Sequence, residues 1–123
     1  MKVSRVAGWT CAVILAPVFV LVGASKLATA SAVRWGERFS NWGYPAAAPL
    51  VLGVVEIAAG IGLLVPKTQR VAAGTLAAVM IGALGTHLVN DEIPRIIPPL
   101  VLGILALVVY LSTSRRHVDL NPK

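Results

Sequence analysis

Four apolar runs, each long enough to cross a bilayer, leave this chain few ways to fold. They cover about residues 6–27, 47–65, 71–89 and 93–111. A spanning helix needs about 20 residues, with a working range of about 17–25. Inside hydrocarbon every backbone N–H and C=O must find its partner within the chain, so a run of this length folds as a helix. A barrel strand would alternate apolar and polar side chains, and none of the runs does so. The sequence therefore predicts an all-α membrane protein. It would be a single domain over residues 1–123, an antiparallel bundle of four transmembrane helices followed by a polar tail at 112–123.

Composition agrees. The chain is 57% hydrophobic and 13% charged, against about a quarter charged for an average soluble domain. A soluble fold of this size buries too little surface to hide so much apolar area. The net charge of +6 does not point to nucleic acid. The basic residues lie almost entirely between or outside the apolar runs, with no aromatic-interleaved basic patch. They read instead as headgroup contacts and orientation signals. The expected partner is the lipid bilayer.

The Lys and Arg residues divide unevenly between the two sides. Lys2, Arg5, Lys67, Arg70, Arg115, Arg116 and Lys123 fall on one side, and Lys26, Arg34, Arg38 and Arg95 on the other. The excess of basic residues marks the cytoplasmic side. A multi-pass protein of the cell membrane with both termini in the cytoplasm is expected. The first run has the flanks of a secretory signal, with Ala28-Thr29-Ala30 resembling a cleavage site. It is longer than a usual signal core and carries Lys26 just before that site, so it reads as a span that is kept.

In the first outer loop Trp35, Phe39 and Trp42 recur at helical spacing. This predicts a short interfacial helix with its rings at headgroup depth, ended by Gly43, Tyr44 and Pro45. Arg5 and Trp9, one turn apart, read as anchors at the inner interface. Asn90, Asp91 and Glu92 link the last two runs as a tight hairpin, with Asp91, Glu92 and Arg95 expected to be solvated. Pro94 suits the first turn of the last helix, whereas Pro98 and Pro99 would bend it. His117, in the tail, suggests no role.

Glu56 is central among the candidates for chemistry. It falls at the middle of the second run, about 14 Å below the outer face at 1.5 Å per residue. A charge there costs a few kcal/mol, about 2.5–3.5 on insertion scales, so it should face the bundle and hold a partner or a proton. Three roles are open to it: neutral hydrogen-bond donor, proton carrier, or half of an ion pair. Lys26 and His87 are the plausible partners, both near the outer ends of their helices. Lys26 is also long enough to extend outward to water, and His87 also suits a plain interfacial position. Glycines and alanines at four-residue spacing (Gly74, Ala78 and Gly82; Gly53 and Gly60 beside Glu56; Gly23 before Lys26) suit either close helix packing or room for a flat ligand.

Other chemistries find no footing. Cys11 is the sole cysteine, so no Cys-x-x-Cys pair or intrachain disulfide exists. No second well-placed intramembrane histidine offers a bis-histidine haem site. No His, Cys and carboxylate cluster has metal-ligand spacing, and no phosphate loop or nucleophile elbow is present. No motif binds a cofactor, and no catalytic residue is assigned.

Several segments, taken together, resemble one family. They are Phe19-Val20-Leu21-Val22-Gly23-Ala24-Ser25-Lys26-Leu27, Gly43-Tyr44-Pro45, and the stretch from Gly53 through Glu56 to Pro66, with Arg70 opening the third run and His87 closing it. Their order and spacing resemble the DoxX-like family of small four-helix membrane proteins, from about Arg5 to Leu111. The resemblance implies several things. The founding member is a small subunit of a complex passing electrons from thiosulfate or other donors to quinone. Other relatives are linked to thiol-redox complexes or assist membrane-protein assembly. The family's recurring Lys, Glu and His correspond to Lys26, Glu56 and His87. The expectation is thus a small subunit or accessory of a quinone-linked redox complex, with quinone as the possible ligand and redox-complex subunits or a second copy as partners. A non-catalytic scaffold or assembly factor is the alternative. Lacking paired cysteines, the chain departs from relatives that use a dithiol.

Overall fold

The computed structural model describes residues 3–119, and side chains up to residue 113. Lys2 and Lys123, and the side chains of Arg115, Arg116 and His117, lie outside the described residues. The elements in chain order are α1 (Arg5–Leu27), α2 (Thr29–Asn41), α3 (Ala48–Gly62), α4 (Gln69–Val89), a 3-10 turn (Ile93–Ile96) and α5 (Ile97–Asp119). α1, α4 and the segment Ile93–Thr113 are each long and apolar enough to cross a membrane, and α3 is a shorter apolar helix.

The four apolar helices form a ring in which α1 packs on α3 and α5, and α4 packs on α5 and α3. Each buries one stripe. On α1 it is Ala12, Leu15, Phe19, Gly23 and Lys26; on α3 it is Pro49, Gly53, Glu56, Ala59 and Gly60. These are three- and four-residue steps, one face of a helix. The opposite faces expose Val13, Leu21, Val54, Ile61, Ile81 and Ile104, as lipid-facing sides should.

Several boundaries differ from the sequence expectation, for local reasons. The second run, expected at 47–65, is helical only over Ala48–Gly62. Pro66 disfavours helical geometry at Val65. The freed carbonyls are taken by the following turn: Thr68 Oγ1 donates to Gly62 O at 2.9 Å, and Gln69 Nε2 to Leu63 O at 2.8 Å. At 1.5 Å per residue α3 is about 22 Å long, short of the roughly 30 Å hydrocarbon core. Pro98 and Pro99, expected to bend the last helix, follow directly on the 3-10 turn. They lie in its first turn, where the missing N–H groups have no helical partner to lose. The segment expected as a polar tail from residue 112 continues α5 as helix through Asp119.

The two ends of the bundle are built differently. Toward the end that bears the N-terminus the core is closed by Ala12, Leu15, Phe19, Leu63, Ala73, Leu76, Ala106 and Val109, all buried. Toward the other end, here called distal, the helices stand apart around a cavity of about 960 Å³. α2 leaves α1 after a single extended residue, Ala28, and lies along this cavity. Its return to α3 needs Gly43, whose φ of 91° is a backbone conformation that glycine adopts without strain.

Candidate functional site: a buried ion pair beneath an aromatic roof

Gly23 and Gly53 set the geometry of the site. A methyl group added at Gly53 would lie 2.8 Å from the Gly23 carbonyl oxygen and 3.0 Å from Lys26 Cβ. Only hydrogen allows the α1 and α3 backbones to come this close. Lys26 lies three residues beyond Gly23, and Glu56 three beyond Gly53. The helices are antiparallel, so Lys26 stands on the distal side of the crossing and Glu56 on the proximal side. Side chains lean toward the N-terminus of their own helix. Lys26 therefore leans down and Glu56 leans up, and they meet.

Lys26 Nζ donates to Glu56 Oε1 at 2.7 Å, and the two side chains are 3% and 2% exposed. Of the roles open to Glu56, this geometry is the paired one. Lys26 does not extend outward to water; it is buried. It also stands 4.1 Å from the Trp35 ring centroid, and Trp35 is held in turn by its indole N–H donating to Ser25 Oγ at 3.0 Å. The Lys26 amine thus has a carboxylate and an aromatic face for partners.

His87 lines the same cavity from α4. Among the described residues it makes no hydrogen bond to Lys26 or Glu56. Its Nδ1 lies 2.9 Å from Glu92 Oε1. Glu92 also accepts from Trp42 Nε1 at 3.1 Å and from Arg95 at 3.3 Å. The hydrogen bond with His87, then the nearby Arg95 charge and the Trp42 N–H, hold the Glu92 carboxyl below its ordinary value, against an opposing effect of burial. Asp91 and Arg95 are exposed as expected, but Glu92 is only 24% exposed and does more than meet solvent. It ties α2 and α4 together, and the sequence reading missed it because the link runs over fifty residues, to Trp42.

The aromatic residues expected as outer anchors also contact one another and the rest of the protein. Phe39 is buried, with ring centroids of Trp42, Tyr44 and Trp35 at 5.2, 5.6 and 6.1 Å. Trp35 and Trp42 are half-buried and hydrogen-bonded to the protein. The Tyr44 hydroxyl bonds Thr86 Oγ1 at 2.6 Å. The aromatic face of α2 is a roof on the cavity, and its charged face, with Arg34, Glu37 and Arg38, is exposed. Of the residues expected as inner anchors, Arg5 is exposed and Trp9 packs against the core.

The glycines divide between the two uses open to them. Gly23, Gly53 and Gly60 are packing contacts, and Gly74 meets the Tyr110 ring. Gly82 has nothing within 4 Å of where a Cβ would stand, and it lines the cavity. No group of three His, Cys, Asp or Glu with metal-binding geometry occurs among the described residues.

No curated protein and no solved structure matches the chain. The model of the DoxX-like family matches residues 10–109, a stretch that takes in Lys26, Glu56 and His87 as well as the cavity walls. Together with the long apolar helices, this match establishes the chain as an integral membrane protein that belongs to the DoxX-like family.

Proposed function

We propose that this protein is a four-span subunit or accessory of a quinone-linked membrane redox complex, and that its distal cavity receives the quinone head. The observation that carries the reading is the buried Lys26–Glu56 pair at one wall of a 960 Å³ cavity. A cavity of this size fits the general range for small-molecule sites, about 300–1,000 Å³. Mostly apolar walls with a few convergent polar groups suit a lipid-soluble ring. Lys26 keeps donors beyond the one used on Glu56, and His87 faces the same space.

In this reading α3 is the fourth span, completed by the turns at its two ends, with local bilayer thinning absorbing its short length. The distal end faces outward and both termini lie in the cytoplasm, as the Lys and Arg distribution favours. Arg5 and Trp9 then sit at the inner interface. Thiol-reactive probes should label a cysteine replacing Arg34 from outside intact cells, and labelling of that position only after lysis would reverse the orientation.

The functional test is binding of a decyl-substituted benzoquinone to the purified protein in nanodiscs, followed by quenching of the cavity tryptophans. Wild type should bind saturably and Glu56→Gln more weakly. Absence of binding, also in native membranes with every partner retained, would exclude the quinone reading. The interlocked Gly23 and Gly53 favour a second one, in which the ion pair only fixes helix register and the protein is a non-catalytic scaffold or assembly factor. Co-purification of a stable protein partner with no small molecule would support that reading.

A further inference from the structure

His87 and Glu92 form a dyad whose free end belongs to the cavity. The carboxylate of Glu92, held ionised by Trp42 and Arg95 as well as by His87, can only accept hydrogen bonds. The proton between them therefore sits on His87 Nδ1. In the neutral ring Nε2 is then left with its lone pair, as in other carboxylate–histidine pairs where the bond at one nitrogen sets the role of the other. Nε2 has no partner among the described residues, no buried nitrogen or oxygen among them goes unsatisfied, and His87 lines the cavity. The Trp42 ring, edge-on to the imidazole at 5.4 Å between centroids, restricts its rotation.

The geometry points to a ligand that donates a hydrogen bond: His87 Nε2, oriented by Glu92, accepts from a hydroxyl on a ring-headed lipid, so that the cavity prefers a hydroquinone or phenol to the corresponding quinone or ether. The ring class follows from the walls, where Trp35, Phe39, Trp42 and Tyr44 present aromatic surface. This inference rests on the proposed quinone-type occupancy and adds a direction to it, in that the hydroxylated form is the one recognised. Glu92 is a positioning residue, since it acts on the ligand through His87.

Three probes separate the possibilities in wild-type protein in nanodiscs under anaerobic conditions: decylhydroquinone, its dimethyl ether, and decylbenzoquinone. One well-oriented hydrogen bond should give the hydroquinone about a tenfold tighter Kd than the ether or the quinone. His87→Phe should bring the three to equal affinity. Glu92→Gln, which leaves the imidazole in place but frees its orientation, should reduce the preference several-fold without weakening ether binding. A purely structural role for Glu92 would weaken all three alike. Equal binding of the three by wild type overturns the inference while leaving the quinone reading intact. Retention of the full preference in His87→Phe overturns it too, and failure of every probe to bind, also in native membranes with every partner retained, overturns both.

Discussion

Lys26 and Glu56 are thirty residues apart in the chain and 2.7 Å apart in space, and both side chains are buried. The pair is held at the seam where the α1 and α3 backbones come closest. A buried ion pair of this kind gives no assurance of net stability, because desolvation opposes the attraction. Its value is in orientation: each side chain defines where the other must be.

Losing one partner strands the other. Lys26→Met or Glu56→Leu alone should destabilise the protein by about 3–5 kcal/mol, whereas the Lys26→Met/Glu56→Leu double variant should recover most of that loss. Denaturation of all four proteins in the same detergent measures the coupling. Additive losses in the double variant would mean that the two groups do not act as a pair.

The glycines predict opposite outcomes for one substitution. Gly53→Ala pushes a methyl into the Gly23 carbonyl and Lys26 Cβ, and such overpacking should cost about 1–3 kcal/mol. Gly82→Ala meets nothing within 4 Å and should leave the melting temperature unchanged while narrowing the cavity. Comparable losses at both positions would contradict the division between packing seam and open cavity.

Trp35 couples the roof to the pair. Replacing it with Leu keeps much of the apolar cover but removes the ring beside Lys26 and the bond to Ser25. A loss of about 0.5–2 kcal/mol is expected from the cation–π contact. In a Lys26→Met background the cation–π share should disappear, which a double-mutant cycle reads directly.

Acid should loosen the clasp at Glu92. Its ordinary value is 4.5 and its folded value is lower. The stabilisation it gives is therefore complete above 4.5 and drains away as pH falls from there through the folded value. The melting-temperature gap between wild type and Glu92→Gln should close as the pH falls through and below 4.5. A gap that widened below 4.5 would show that the carboxyl is not held in its ionised form.

The membrane character, the approximate positions of the apolar helices, and the need of Glu56 for a partner were all legible in the sequence. Each depends on local facts: run length, the backbone's need to pair in lipid, and the cost of charge far from water. The Lys26–Glu56 contact was foreseeable only as one option among several, since its closure depends on how near α1 and α3 approach. The resemblance to the DoxX-like family, also drawn from the sequence, agrees with the family match.

The tertiary structure decided the rest. Whether the aromatic face of α2 turned to lipid or onto the protein depended on the cavity between the helices beneath it. Glu92 acquired its role from Trp42 and His87, which no periodicity links to it. Local pattern fixes which face of a helix is apolar, but the register between helices fixes which polar group answers which. That register arises from backbone approach at Gly23 and Gly53, a property of two helices together.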